Sequence, residues 1–213
     1  MKNNDVIQLF KEISKTITNH KDELTKLDQE IGDSDHGINL ARGFEAACEK
    51  LTDLEGEKID MIIKAVANAL ISNVGGASGI LYGSFFQKMP PLIQDKEKIS
   101  LSIYIEMLEA GIDIIKKRGR SDFGEKTMLD VLIPYANYLK ENRQQPREQL
   151  WSGATKEAEI HLEETRNRTA TKGRAAYLGE RSIGHLDPGA MSAFLMIKTV
   201  ESFLQNSLEH EVI

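Results

Sequence analysis

The chain reads as all-α. Three observations carry this: apolar residues recur three and four positions apart through most of its 213 residues, no segment shows convincing two-residue alternation, and the glycine-rich and proline-bearing stretches fall between the periodic runs. Val6, Leu9, Phe10, Ile13 and Ile17 make the first helical stripe, and Phe44, Ala47, Cys48 and Leu51 the second. The run from Ile59 to Ile71 is apolar on most faces and predicts a central helix. After Gly75-Gly76-Ala77-Ser78-Gly79, a fourth helix turns Leu81, Phe85 and Phe86 inward. Ser100 or Ser102 can cap a helix bearing Tyr104, Leu108, Ile112 and Ile115 that stops at Gly119. Thr127 opens the next, through Leu129, Leu132, Ile133, Ala136 and Leu139, with Pro134 predicting a kink or a break. A polar helix from about Arg147 to Arg168 and an apolar one from about Ala190 to Leu204 complete the set. Some eight helices joined by short connections predict a bundle or barrel whose loops collect at its two ends.

Domain organisation follows from the same pass. No repeat of solenoid period and no low-complexity segment occurs, and the charged, proline-bearing stretch from Pro90 to Lys98 reads as a surface connection between parts that are not self-sufficient. One domain over residues 1–213 is the economical reading. Its length suffices for a good core.

Composition removes several functions. A net charge of −6 without a dense Lys/Arg stripe excludes a nucleic-acid surface of the usual kind, which needs clustered cations to neutralise phosphates. A single cysteine, Cys48, rules out an internal disulfide and fits a reducing compartment; its place in an apolar stripe makes it a core residue. No apolar run resembles a signal peptide at the N-terminus, and none of about 18 residues is available for a membrane span. The expected location is cytoplasmic.

The most informative segment is Asp28-Gln29-Glu30-Ile31-Gly32-Asp33-Ser34-Asp35-His36-Gly37-Ile38-Asn39, with four acids inside eight residues. Carboxylates this close raise one another's pKa, so their convergence calls for a hard cation with a preference for oxygen. An EF-hand is excluded: counted from Asp33, the fifth position is Gly37 and the twelfth is Phe44, where oxygen ligands are required. A solvated acidic turn before a helix remains the plain alternative.

Residues 28–39, 73–79, 118–127 and 172–189 form four polar, glycine-containing segments that can meet at one end of an antiparallel bundle. Asn73 to Gly79 lets a ligand approach backbone N–H groups at a helix start, although it lacks the Gly-Lys-Ser/Thr of a Walker A loop and could equally be a tight helix corner. Gly119 to Thr127 reads as a capped turn or a second polar loop. In Lys172 to Gly189, Arg174 and Arg181 are cations suited to phosphate oxygens. Lone histidines such as His36 and His185 are more often hydrogen-bonded structural groups than catalysts, and Trp151 and Tyr177 read as packing residues.

Taken together, Leu27 to Gly37, Val74 to Gly79, Gly124-Glu125-Lys126-Thr127-Met128 with Asp130, and Gly173 to Ser182 with Asp187-Pro188-Gly189 make four motifs in order. They resemble the nucleotide-binding L subunits of bacterial dihydroxyacetone kinases over nearly the whole chain, with residues 90–105 and 140–168 least informative. The resemblance implies a barrel of eight antiparallel amphipathic helices with a nucleotide site at one end. It implies that Asp28, Asp33 and Asp35 bind two Mg²⁺ and are the catalytic centre, and that His36, Asn39, Ala77, Ser78, Gly119, Met128, Arg174, Asp187, Pro188 and Gly189 hold ADP or ATP as a bound coenzyme. The implied enzyme is a phosphoenolpyruvate-glycerone phosphotransferase component. Its implied partners are a K subunit that holds dihydroxyacetone and a phosphotransferase-system M subunit that rephosphorylates ADP. Two alternatives accompany it: a nucleotide-state reporter acting on a transcription regulator, and a nucleotide domain serving another acceptor such as a fatty acid.

Overall fold

The computed structural model describes the backbone of residues 1–210 and the side chains of residues 1–206. Among the described residues every regular element is helical: α1 (Asn3–Asn19), α2 (Lys21–Ile31), α3 (His36–Leu51), α4 (Ile59–Asn73), α5 (Gly76–Gln87), α6 (Pro90–Ile93), α7 (Leu101–Gly119), α8 (Leu129–Glu141), α9 (Arg147–Glu164) and α10 (Pro188–His210), with 3₁₀ segments at Thr52–Leu54, Thr165–Asn167 and Arg174–Ser182. The helical periodicity of the sequence thus becomes helix wherever it was strong.

The packing order closes on itself. Helix α1 packs on α3, α3 on α4, α4 on α5, α5 on α7, α7 on α8, α8 on α9, α9 on α10 and α10 back on α1, while α2 lies against α3 and α10. Apolar stripes meet in one core in which Ile17, Leu24, Phe44, Ile62, Leu70, Leu129 and Tyr135 are shut off from solvent. Such burial contributes about 25 cal/mol per Å² of apolar surface removed from water. Two glycines let neighbouring helices close up: a Cβ at Gly111 of α7 would lie 2.3 Å from the Phe85 ring of α5, and one at Gly153 of α9 would lie 2.2 Å from the Tyr138 hydroxyl of α8.

Several expectations change in detail. Helix α2 was not predicted, because its eleven residues bury only Leu24, Asp28 and Ile31, too few to print a stripe. Residues 28–31 are therefore helical, and the loop expected at 28–39 shrinks to a turn. Pro134 does not break α8, which runs continuously from Leu129 to Glu141; buried Leu132, Tyr135 and Ala136 on either side hold the ring within the helix despite its missing donor. The polar helix ends at Glu164 and continues as a 3₁₀ turn rather than reaching Arg168. Ser100 caps α7, its hydroxyl accepting from the Ile103 N–H at 3.3 Å. Cys48 is only half-buried, its thiol 3.8 Å from the Phe10 carbonyl. Trp151 packs edge-on to Tyr104, as expected of a packing residue, but Tyr177 is 90% exposed and packs nowhere. Its 3₁₀ segment buries only Ala175 and Ser182, so an aromatic between them faces outward.

Candidate functional site

Three helix starts and two shaped loops meet around a cleft of about 610 Å³, a size in the range of small-molecule sites. Asp28, Asp33, Asp35, His36, Ala77, Ser78, Gly119, Met128, Arg174, Asp187, Pro188 and Gly189 all face it. Of the residues the family resemblance implied for the site, Asn39 alone stands behind the wall. It is buried in α3, accepts from Arg42 Nη2 at 2.8 Å, and hydrogen-bonds the Asp35 side chain.

The acidic corner is built by the junction of α2 and α3. Asp28, buried near the end of α2, uses Oδ2 to accept the backbone N–H groups of Asp35 at 2.9 Å and His36 at 3.1 Å, the latter the first residue of α3. A Cβ at Gly32 would lie 2.0 Å from Asp28 Oδ1, and one at Gly37 would lie 2.1 Å from the Lys21 carbonyl. The turn fits around the carboxylate only with both glycines bare. Ser34, at φ 64°, supplies the left-handed step between Asp33 and Asp35. One oxygen from each of Asp28, Asp33 and Asp35 lies within 4.8 Å of the others. Magnesium binds oxygen at about 2.0–2.1 Å in an octahedron, so opposed ligands sit about 4 Å apart and this donor set suits it in chemistry and spread. Burial, then the Asp33 charge, pushes the Asp35 carboxyl above the usual carboxylate range. A cation relieves that repulsion.

Facing the acids is Arg174, whose Nε lies 2.8 Å from Asp33 Oδ2 while most of its side chain remains in solvent. Arg181, the other cation expected at the site, is exposed outside the wall, and His185 pairs with Glu30 at 2.8 Å. On a third side, α5 begins at Gly76, so Ala77 and Ser78 belong to its first turn and its free N–H groups open on the cleft. His36 joins this wall to the next: Nδ1 is 3.0 Å from Ser78 Oγ and Nε2 is 3.0 Å from Ser192 Oγ. Burial lowers its pKa to about 4 despite the Asp28 and Asp33 charges, so the imidazole is neutral at physiological pH.

The fourth side rests on Lys126 and Asp130 of the third motif, to which sequence reading assigned no role in the site, and on Asp187. Lys126 is buried, adopts φ 61°, and donates to three carbonyls, Thr165 at 2.6 Å, Ser182 at 2.8 Å and His185 at 2.6 Å. Asp130, wholly buried, accepts from the backbone N–H of Gly124 at 2.8 Å and of Thr127 at 2.6 Å and is ion-paired with Arg168. The Thr127 hydroxyl in turn accepts from the Leu129 N–H at 3.2 Å. Helix α8 starts two residues after it with Met128 at its N-cap, so Thr127 braces the turn before the helix rather than opening it. Asp187 caps α10 by accepting from Ala190 at 2.7 Å. Lys126, Asp130, Arg168, Ser192 and Tyr82 carried no local signal of burial. Only the membership of Lys126 and Asp130 in the third motif pointed to them.

Residues 30–202 match the DAK2 domain family. The chain is similar to the "PEP-dependent dihydroxyacetone kinase 1, ADP-binding subunit DhaL" of Listeria innocua, at 42% identity over 89% of this chain and 91% of that one. It is also similar to the "PEP-dependent dihydroxyacetone kinase, ADP-binding subunit DhaL" of Escherichia coli, at 41% identity over 82% of this chain and 84% of that one. Among solved structures, the dihydroxyacetone kinase from C. freundii in complex with AMP-PNP and Mg²⁺ superposes with a TM-score of 0.68 at 22% identity, covering 95% of this chain and 34% of that one. At that identity the likeness is one of fold.

Proposed function

The chain belongs to the DAK2 domain family, and from that premise we propose that it is the ADP-binding subunit of a phosphoenolpyruvate-dependent dihydroxyacetone kinase. The observation that carries this reading is the convergence of three carboxylates, a helix N-terminus and an arginine on one cleft. Phosphoryl transfer asks for charge neutralisation and positioning more than for a protein nucleophile, and these groups provide both. Its relatives at 41–42% identity carry the name of ADP-binding subunits.

In this reading Asp28, Asp33 and Asp35 hold two Mg²⁺, and the closed packing order is that of an eight-helix barrel with the nucleotide at the end where α2, α5 and α10 present their termini. Bound Mg²⁺ supplies the positive charge against which phosphate oxygens are drawn together. The residues of the chain do the rest. The first turn of α5 offers N–H donors to a phosphate, Ser78 and His36 flank that turn, and Arg174 exchanges Asp33 for a phosphate oxygen. Met128, Gly119 and the Asp187–Gly189 turn line the space left for the nucleoside. The phosphoryl group passes to dihydroxyacetone on a separate K subunit, and an M subunit of the phosphotransferase system restores ATP on the protein. Such a system works in the cytoplasm. A reporter role toward a transcription regulator would use the same cleft without turnover.

Asp33→Asn and Asp35→Asn test the acidic corner, since an amide is a poor Mg²⁺ ligand while the change relieves repulsion in the free protein. Calorimetry should show Mg²⁺-dependent ADP binding lost in both variants at unchanged helix content. Unaltered binding would remove these residues from the metal site.

A further inference from the structure

Behind His36 the structure closes a ring of hydrogen bonds that no role in the cleft explains. Ser78 and Tyr82 stand four residues apart on α5, hence on one face. Ser78 Oγ meets His36 Nδ1 at 3.0 Å, His36 Nε2 meets Ser192 Oγ at 3.0 Å, and Ser192 Oγ meets the Tyr82 hydroxyl at 2.7 Å, which leads back to α5. Ser192 is wholly buried and Tyr82 nearly so, and neither borders the cleft. Removing either oxygen would cost the protein a satisfied buried polar network, and an apolar pair would pack there as well.

Counting hydrogens orders the ring. Ser192 Oγ donates to the Gly189 carbonyl at 3.0 Å, so its lone pairs face the other two members. With the Ser192 hydrogen on Gly189, the Tyr82 hydroxyl, 2.7 Å from Ser192 Oγ and 3.2 Å from the Gly189 carbonyl, can only be the donor in either contact. His36 also hydrogen-bonds the Pro188 carbonyl, which only accepts. Nε2 has to donate to Ser192 Oγ, whose own hydrogen is spent on Gly189, and this leaves Nδ1 to accept from Ser78.

We propose that Ser192 and Tyr82 are positioning residues that hold His36 as its Nε2–H tautomer, and through it fix Ser78 in the first turn of α5 with its hydroxyl hydrogen turned inward. The oxygen lone pairs of Ser78 then face the cleft, and anion binding falls to the backbone N–H groups of that turn. This rests on the nucleotide reading only for its consequence, a pre-set phosphate wall. The tautomer itself is a property of the protein alone.

Long-range ¹⁵N correlation spectra of the ligand-free protein, assigned with His36→Gln, should show His36 protonated at Nε2. In Ser192→Ala the spectrum should move toward a mixture of tautomers, and in Tyr82→Phe, which removes one oxygen from a ring that stays packed, it should move in the same direction by less. Mg²⁺·ADP affinity should fall about tenfold in Ser192→Ala and recover in Ser192→Thr, which returns the hydroxyl. A wild-type ring protonated at Nδ1, or variants with the wild-type ¹⁵N pattern, would overturn the proposal. If the wild type shows the Nε2–H ring but does not bind Mg²⁺·ADP, the functional reading falls and the positioning role stands.

Discussion

At Asp187 a single side chain carries two opposed demands. Its carboxylate caps α10 by accepting from Ala190, which favours the charge, yet burial dominates and pushes its pKa up to about 7, with Asp130 adding to the rise. An unfolded aspartate titrates near 3.9, so the folded state holds the proton more tightly. The stability this contributes is complete below about pH 4 and is lost as pH rises through 7. Asp187→Asn keeps an oxygen for the cap and removes the titration. The melting temperature of the ligand-free wild type should therefore gain on that of Asp187→Asn as pH falls from 8 to 5, and parallel curves would show that Asp187 does not titrate there. Sequence reading found Asp187 through its motif. It could not find this behaviour, because the charges that act on Asp187, those of Lys126, Asp130 and Asp28, converge on it from two other segments.

At the scale of elements, what was legible followed from periodicity. Helices α1, α3, α4, α7 and α8 bury enough apolar residues at helical spacing to announce themselves, whereas α2 buries three residues and stayed hidden. That omission mattered, since α2 rather than a loop carries Asp28 into the acidic corner. The segment after α9 is the opposite case: it was read as a polar, glycine-containing connection, and although Arg174–Ser182 folds as 3₁₀ turns it does connect two helices, but its anchor was invisible. Lys126 satisfies three carbonyls of that loop with its three N–H bonds, replacing a helix or strand ladder with one ammonium group. Lys126→Met keeps the aliphatic stem and leaves these acceptors without their donor, at a cost of about 1–3 kcal/mol for each that stays dry. For a chain of this size each kcal/mol lowers the melting temperature by about 2–4 °C. The variant should melt well below the wild type, and limited proteolysis should cut first between residues 165 and 187. A melting temperature within a degree of wild type would mean that the loop is held by other contacts, such as the Ala170 N–H to Ser182 Oγ bond at 2.9 Å.

For the molecule as a whole, the cleft is lopsided in a way that bears on what it can do alone. Its acidic corner, the α5 terminus and Arg174 form the side suited to phosphate, while Arg118, Lys126, Lys172 and Asp187 place further charges among Met128, Leu81, Ile115 and small residues on the remaining walls. The cleft is open on the side of Arg174, most of whose side chain stands in solvent. Water has free access to such a site, so efficient transfer requires a second surface to close it. The isolated protein with Mg²⁺, ATP and dihydroxyacetone should therefore form no dihydroxyacetone phosphate above background. Adding a dihydroxyacetone-binding subunit from a related system should start turnover, limited to one equivalent of product per bound ATP until a phosphorylated donor subunit is supplied. If the nucleotide is the carrier, denaturing mass spectrometry after exposure to that donor should find ADP converted to ATP and the polypeptide mass unchanged. A phosphate retained on the chain and lost in His36→Gln or His185→Gln would instead make a histidine the carrier. Phosphorylation of the ketose by the chain alone would refute the subunit reading altogether.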